Sequence, residues 1–261
     1  MAEKKILHSH GGSTFGGIIV GTQFFKITYM DVIFQLLKKY LAENDFGEII
    51  LKQTGDIYQT SNSALIDYYL FMNGYEAAQE VGFYIDFANY KDEIISNFSS
   101  SRRRDYRYSL KNNFTFKELE TVEEITAFYG ILCNNYEKFG KQPVHTLEEL
   151  LEFKFERIPE NTKFYGVFHD GEMIASGMAF LFGKNIFHTQ YLAVLQNKTN
   201  LFANEFLYTN LIKTAKEEGF SIISFGTSTL EGGTVLNRPL AMFKEGFGSQ
   251  AYVNRIYKKV L

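Results

Sequence analysis

Residues 220–248, FSIISFGTSTLEGGTVLNRPLAMFKEGFG, combine a predicted buried strand with a polar loop, and the rest of the chain is interpreted as support for that loop. Residues 221–225 form a short apolar run rich in isoleucine after Gly219, and this pattern predicts a central strand rather than a helix. The strand runs into a polar, glycine-containing loop, and loops held by rigid elements are where proteins bind ligands. We therefore predict that the functional site lies at this loop. Its four candidate substrate-binding residues are Thr227, Ser228, Asn237 and Arg238.

Lys244 is the cation nearest to this loop and the first candidate catalytic residue. Apolar residues flank it on both sides: Leu240, Met242, Phe243 and Phe247. Two interpretations stay open. Lys244 either neutralises a phosphate or a developing negative charge, or it is a surface lysine beside a solvated turn.

Residues 243–248, Phe-Lys-Glu-Gly-Phe-Gly after a strand and a polar loop, resemble the C-terminal signature of the Fem-like branch of the GNAT acyltransferase superfamily. A basic segment at 102–111, a hairpin at 165–182 and a strand at 186–194 come in the order that such a domain shows. The resemblance covers residues 98–261 most fully. It implies an α/β fold of the α+β type, in which mixed, mostly antiparallel sheets are flanked by helices.

The first hundred residues alternate strands and helices in an order that resembles the later part of a GNAT fold. The resemblance therefore implies tandem GNAT-like domains, of which the N-terminal copy is abbreviated. The predicted elements are a strand at 4–7, a helix at 29–43, a strand at 48–52, a helix at 63–73 and a strand at 81–87.

The chain of 261 residues is long enough for two domains of roughly 130 residues, each able to bury a core. The only linker-like composition is the serine run at 99–101. We therefore predict an abbreviated GNAT-like domain at 1–98 and a second GNAT-like domain at 99–261.

Composition narrows the class of protein. The net charge of -3 argues against a general nucleic-acid binder, so an anionic partner must be met by a local patch. The single cysteine, Cys133, excludes an internal disulfide framework and a multi-thiolate metal site. The sequence has no signal-peptide pattern and no apolar run of membrane-spanning length, which predicts a cytoplasmic protein without a membrane span.

A glycine-rich segment follows the first predicted strand and contains His8 and His10. A His-x-His pair can supply two metal ligands on one strand face, but no third ligand is near in the sequence, so we expect no metal. The interpretation that we prefer makes His10 a substrate-binding residue. The glycines lack the spacing of a dinucleotide fingerprint.

The basic segment carries Arg103 and Arg107, with Tyr106 and Tyr108 interleaved, on a predicted helix capped by Ser101. Arginine suits bidentate capture of phosphate or carboxylate. In the family that the chain resembles, this helix borders the acceptor groove, which makes Arg103 and Arg107 candidate substrate-binding residues. The alternative is a solvated basic face.

Local signals order the second predicted domain. Asp170-Gly171 predicts a tight hairpin between two strands, and a third strand continues an antiparallel meander. Two helices are predicted from Thr-x-x-Glu capping boxes: Thr121 with Glu124, and Thr146 with Glu149.

The resemblance implies that the strand at 188–194 splays from its neighbour and that its main-chain N–H groups hold the acyl carbonyl, with Leu192 and Val194 among them. His188 and Tyr191 are candidates to carry a proton from an attacking amine. Strand alternation predicts His188 and Gln190 on one face, and Thr189 and Tyr191 on the other.

CoA-dependent GNAT enzymes bind the pyrophosphate in a glycine-containing loop at a helix N-terminus. The corresponding cofactor-binding candidates here are Gln196, Lys198 and Thr199, but Thr199 and Leu201 stand where the glycines would fall. Acetyl-CoA or another acyl-CoA is the implied cofactor. Fem-like enzymes use an aminoacyl-tRNA donor instead, and add the aminoacyl group to a cell-wall precursor.

The sequence thus predicts an acyltransferase that moves an acyl or aminoacyl group onto an amine acceptor, in a cleft between two GNAT-like halves. Its partners would be a small-molecule or cell-wall-precursor-like substrate, and tRNA if the donor is aminoacylated. The alternative is a non-catalytic, ligand-binding descendant of the same fold.

Overall fold

The computed structural model describes residues 5–11, 13, 16–59, 64–138, 140–183 and 185–261. The strands are β1 Lys5–His8, β2 Phe46–Lys52, β3 Glu76–Asp86, β4 Thr115–Glu118, β5 Thr162–His169, β6 Glu172–Phe182, β7 Ile186–Val194, β8 Ile222–Thr227, β9 Thr229–Leu230, β10 Val235–Leu236 and β11 Gln250–Val260. The α-helices are α1 Ile27–Glu43, α2 Ala64–Met72, α3 Ser100–Ser109, α4 Val122–Glu137, α5 Leu147–Glu152, α6 Ala203–Glu217 and α7 Arg238–Glu245. Lys4, Gly12 and Ser63, which fall in predicted segments, lie outside the described residues.

The chain divides into two compact units that differ from the predicted domains. The first consists of Met1–Gly82, Thr227–Asn237 and Ala251–Leu261, and the second of Phe83–Gly226 and Arg238–Gln250. The division between these two units falls within β3, whereas the domain boundary predicted from the sequence lies at the serine run. The end of the chain returns to the first unit because β11 pairs with β2, a long-range ladder that sequence composition does not reveal.

In the first unit the strand order is β1-β2-β11-β3, with β1 parallel and β11 antiparallel to β2. Helices α1 and α2 contribute their apolar stripes to the core of this unit. Its fully buried members include Met30, Ile49 and Leu70. Tyr257 on β11 reaches the same core and donates a hydrogen bond of 3.0 Å to Asp67 on α2.

In the second unit the strand order is β3-β8-β7-β6-β5-β4, and β5, β6 and β7 form the predicted antiparallel meander. Asp170 and Gly171 make the hairpin turn with φ angles of 51° and 83°, a conformation that Asp and Gly tolerate. Both predicted capping boxes are present, at the starts of α4 and α5. The mixed α/β architecture predicted from the sequence is confirmed.

Helices α4 and α5 cover one face of the meander, where they bury Ile125, Phe128 and Leu150 against β5, β6 and β7. Helix α6 lies against the other face, since a side chain at Gly177 on β6 would meet Leu207 and Leu211 of that helix. Among the described residues, no helix combines the length and the apolar composition needed to cross a bilayer.

Candidate active site

The candidate site lies where the parallel pairing of β7 and β8 stops. Their ladder runs from Ile186–Ile222 to His188–Ser224, although β7 continues to Val194. At the end of the ladder, Thr189 Oγ1 donates a hydrogen bond of 3.0 Å to the carbonyl of Ser224. Leu192 and Val194, predicted to bind an acyl carbonyl through their main chain, lie on β7 beyond this point.

A β-bulge interrupts β7 at the same place. On the neighbouring β6, Met178 faces Tyr191, whereas the next residue, Ala179, faces Thr189. The register therefore passes over Gln190 as an extra residue of β7, which is the geometry of a bulge.

The bulge corrects the prediction that strict alternation separates His188 from Tyr191. Because the extra residue shifts the alternation by one, His188 and Tyr191 lie on the same face of β7. This is the face covered by α4 and α5, where Tyr191 is part of the core. The Gln190 side chain raises the pKa of His188 and lowers that of Tyr191, in each case against the larger effect of burial.

His188 is almost fully buried, with 2% of its surface exposed. Its Nδ1 lies 3.3 Å from the Ser224 hydroxyl. Burial lowers the pKa of His188 to about 4, and the charge of Lys244 lowers it further than burial alone. The imidazole is therefore neutral at neutral pH.

Lys244 lies inside the second unit, with 3% of its surface exposed. It belongs to α7, and its Nζ donates a hydrogen bond of 3.1 Å to the carbonyl of Gly226 on β8. Burial lowers the pKa of Lys244 to about 7. The interpretation as a surface lysine beside a solvated turn is therefore wrong, and a strongly shifted pKa of this kind is typical of functional sites.

A cluster of aromatic rings holds α7 in place. Phe247, which is fully buried, stacks on Tyr208 of α6 at a centroid distance of 5.1 Å and an angle of 9°. Phe243 meets the same Tyr208 ring edge-on at 5.0 Å. Because these rings flank Lys244 in the sequence, their packing fixes the direction in which the lysine points.

Arg102 is a residue that the sequence interpretation missed. It forms an ion pair with Glu205 in the first turn of α6, and its guanidinium lies 4.1 Å from the centroid of Phe243. Both charged side chains are largely buried. The prediction that Ser101 caps this helix is wrong. Ser99 caps α3, because its hydroxyl accepts a hydrogen bond from the Arg102 amide.

Arg103 and Arg107 are placed differently from Arg102. Arg103 is half-buried and Arg107 is exposed. Four residues separate them, so they lie on the same side of α3. Within the described part of the chain neither forms an ion pair, whereas the adjacent Arg104 pairs with Asp105 at 3.0 Å.

The predicted cofactor segment is a short 3₁₀ helix, Gln196–Leu201, and not an open loop. Its polar side chains are engaged with neighbours. Gln196 donates a hydrogen bond of 2.8 Å to the carbonyl of Asn134 on α4, and Lys198 lies 3.5 Å from Glu172 on β6. Thr199 bonds back to the Gln196 carbonyl at 3.3 Å.

The polar loop after β8 is a small hairpin of β9 and β10. Thr227, Ser228 and Asn237 belong to the first unit, where the buried Ser228 donates its amide to Val81 at 2.7 Å and accepts from the Asn237 amide at 2.9 Å. Arg238 is exposed at the start of α7 in the second unit.

His10 lies in the first unit, exposed, with a φ of 51°. Of the predicted site residues, the second unit places His188 and Tyr191 on one face of β7, and Lys244 near enough to His188 for its charge to lower the pKa of the imidazole. It does not contain His10 or the three polar residues at 227, 228 and 237.

His145 is a second residue that the sequence interpretation did not select. It precedes α5, and its Nδ1 lies 2.7 Å from the Tyr191 hydroxyl. Burial raises the pKa of Tyr191 to about 12 and lowers the pKa of the half-buried His145. No local pattern marks this contact, because the two residues are brought together only by the packing of the α4–α5 connection on β7.

No protein-family model matches the chain, and no curated protein matches it either. Solved structures do resemble it. FemX superposes with a TM-score of 0.66 at 12% identity, over 90% of this chain and 77% of FemX. The C-terminal domain of a putative lysylphosphatidylglycerol synthetase from Agrobacterium fabrum superposes with a TM-score of 0.62 at 10% identity, over 88% of this chain and 73% of that one.

A tandem GNAT protein from the clavulanic acid biosynthesis pathway gives a TM-score of 0.57 at 9% identity, over 93% of this chain and 73% of that one. Identities this low show the fold alone. The fold is thus GNAT-like and related to that of Fem proteins, as the sequence resemblance predicted. The site and its chemistry must be argued from the residues themselves.

Proposed function

We propose that this protein transfers an acyl or aminoacyl group to an amine acceptor, and that the reaction takes place where β7 and β8 diverge in the second unit. The observation that carries the proposal is the burial of Lys244 with its Nζ at the end of β8, 3.1 Å from the Gly226 carbonyl. The fold that the chain shares with transferases supports it.

In the proposed reaction the amine nitrogen attacks the acyl carbonyl carbon, and negative charge develops on the carbonyl oxygen. Main-chain N–H groups of β7, with those of Leu192 and Val194 as the candidates, would bind this oxygen. The ammonium of Lys244 would neutralise the same charge or a phosphate of the donor. The proton lost by the amine would pass to the neutral His188, or to the Tyr191 hydroxyl as that hydroxyl gives its own proton to His145 Nδ1 at 2.7 Å. The bond between the acyl carbon and the donor then breaks, and the donor oxygen or sulfur leaves with this proton as a hydroxyl or a thiol.

The donor that we favour is an aminoacyl ester on RNA rather than acetyl-CoA or another acyl-CoA. In CoA-dependent GNAT enzymes, the N-terminus of the helix that corresponds to α6 binds the pyrophosphate of the cofactor. Here the first turn of α6 carries the buried carboxylate of Glu205, which already engages the Arg102 guanidinium and the positive end of the helix dipole, so neither is available to a pyrophosphate. The side chains of Gln196 and Lys198 are also engaged elsewhere.

Arg103 and Arg107 support an RNA donor, because two arginines that form no ion pair with described residues lie four residues apart on α3. Steps of four residues along a helix are about 6 Å. That spacing allows two cations to follow one phosphate backbone. The proposed acceptor is a small molecule or a cell-wall-precursor-like compound with a primary amine.

Two binding measurements test the donor. The first is calorimetric titration with acetyl-CoA and with desulfo-CoA, which binds without transfer. The second is filter binding of bulk tRNA to the wild-type protein, to the double variant Arg103→Glu/Arg107→Glu, and to Arg104→Glu as the matched control.

We expect tRNA to bind and the double variant to lose most of that affinity, while Arg104→Glu retains it. The salt dependence of binding should become shallower in the double variant, by about one unit of slope per phosphate contact. Saturable binding of both CoA ligands without tRNA binding would replace the RNA donor by acyl-CoA.

A non-catalytic, ligand-binding descendant is the second candidate function. The 3₁₀ helix Gln196–Leu201 favours this candidate, because it stands where CoA-dependent enzymes have the glycine loop that binds the donor. No binding of either donor class would favour this candidate. Under it, Lys244→Met would leave binding of an amine acceptor unchanged.

A further inference from the structure

The first unit contains a pocket of about 430 Å³ that none of the proposed catalytic residues lines. This volume falls within the range of small-molecule sites, roughly 300 to 1,000 Å³. Most of the wall is apolar and is formed by α1, β2, β11 and the residues that follow α2. The main apolar lining residues are Phe34, Leu41, Phe46, Tyr75 and Val260.

The charged side chains that line the pocket are both lysines, Lys38 and Lys259. Lys259 donates a hydrogen bond of 2.6 Å to the Asn73 carbonyl and lies 5.5 Å from the centroid of the Tyr75 ring. Lys38 is exposed on α1. Within the described part of the chain, neither ammonium forms an ion pair with an aspartate or a glutamate.

The lysine adjacent to each of these two residues does form an ion pair. Lys39 pairs with Glu43 at 3.6 Å, and Lys258 pairs with Glu48 at 2.8 Å. Carboxylates thus balance the lysines beside the pocket and not the two that line it. The described residues that line the pocket include two lysines and no aspartate or glutamate. An apolar wall with two basic side chains and no acidic one is complementary to a ligand that has an apolar body and one negative end.

We propose that this pocket binds an aliphatic carboxylate, with the alkyl chain among the apolar side chains and the carboxylate between Lys38 and Lys259. Aromatic and aliphatic residues from α1 and β2 would bury the chain. The two ammonium groups would hold the charged end by charge-assisted hydrogen bonds. This inference is independent of the transferase reaction, because the pocket lies wholly within the first unit.

The absence of tryptophan from the sequence allows a clean reporter. Phe46→Trp places a single indole in the pocket wall, and its emission is followed during titration with hexanoate, octanoate and decanoate. We expect saturable binding that tightens with chain length, by up to about fourfold for each added methylene that becomes buried. Decanol tests the need for charge, and decyltrimethylammonium tests its sign.

Charge variants, made in the Phe46→Trp protein, test the placement of the carboxylate. Lys38→Met and Lys259→Met should each weaken decanoate binding at least fivefold and leave decanol binding unchanged. The neighbouring Lys39→Met and Lys258→Met are the matched controls and should bind decanoate like the parent. Lys38 is exposed, so its replacement does not threaten folding, and far-ultraviolet circular dichroism verifies the fold of all four variants.

Ala42→Phe should block the pocket from an exposed helix position and abolish binding of the whole series. The inference is overturned by either of two results. One is that decanoate shows no saturable binding or binds no better than decyltrimethylammonium. The other is that Lys38→Met and Lys259→Met bind decanoate as tightly as the two control variants.

Discussion

Two lysines of the second unit, Lys163 and Lys244, show how the surroundings of an ammonium decide its role. Burial opposes the charge of Lys163, but hydrogen bonds and charges from Glu218 at 2.8 Å and Glu118 at 3.2 Å outweigh burial and raise its pKa. At Lys244 burial prevails and lowers the pKa to about 7. The first lysine is a structural ion pair, whereas the second retains a free-energy cost that proteins keep mainly at functional sites.

The largest expected effect is on transfer. Lys244→Met should lower kcat/KM for the transferred group by about 10²- to 10³-fold, the usual cost of removing one electrostatic stabiliser of the transition state. Lys163→Met is the matched control and should retain the wild-type rate. Wild-type activity in Lys244→Met would remove this residue from the mechanism, and the proposed difference in role between Lys244 and Lys163 would be wrong.

The pH dependence of stability should separate the same two lysines. The folded pKa of Lys244, about 7, lies below its unfolded value of 10.5, so the unfolded chain binds more protons between these values. Stability therefore rises with pH in this window, by roughly 3 kcal/mol from pH 7 to 9.5 at 1.36 kcal/mol per unit. The gain is absent below pH 7, where Lys244 is protonated in both states.

Urea unfolding at several pH values measures this slope. Lys244→Met should flatten the curve between pH 7 and 9.5. Lys163→Met should keep the wild-type slope, because the raised pKa of Lys163 contributes stability that is lost only above about pH 10.5. Equal slopes for the wild type and Lys244→Met would show that folding does not lower the pKa of Lys244.

How much the sequence predicts depends on the range of the interaction. The Asp170-Gly171 hairpin and the capping box of Thr121 with Glu124 follow from neighbouring residues, and the structure confirms both. The bulge at Gln190 and the division between the two units within β3 depend on ladders between distant segments, which no local sequence pattern indicates.

The candidate site divides in the same way. The local motif is enough to make Lys244 a candidate, but its burial depends on rings that lie far apart in the sequence, such as Tyr208 and Phe247. Arg102 was passed over in favour of Arg103 and Arg107, because all are arginines of one helix and only packing against Glu205 distinguishes them.

A smaller effect concerns stability at neutral pH. Lys163→Met should reduce the free energy of unfolding by about 1 to 2 kcal/mol, because two glutamates then lose a shared partner that is only partly exposed to solvent. Chemical denaturation at pH 7 measures it. A change above roughly 4 kcal/mol would place Lys163 in the class of fully buried ion pairs instead.

The smallest expected effect links Lys244 to His188. Burial is the main cause of the low pKa of His188, about 4, and the charge of Lys244 adds to it. Lys244→Met should therefore raise the pKa of His188, while Lys163→Met leaves it unchanged. Nuclear magnetic resonance of the histidine side chains during an acid titration reads this directly, and an unchanged value in Lys244→Met would separate the two residues.

The most direct test of the central claim is transfer itself. The protein is incubated with bulk tRNA charged with labelled amino acids, or with labelled acetyl-CoA, together with amino acids, dipeptides, amino sugars and cell-wall precursor peptides as acceptors. We predict that label appears in a new amide from one of these donors, with the wild-type protein and not with Lys244→Met. The proposed transfer reaction is contradicted if a donor binds saturably and no amide forms with any acceptor, since the protein would then be a binding module.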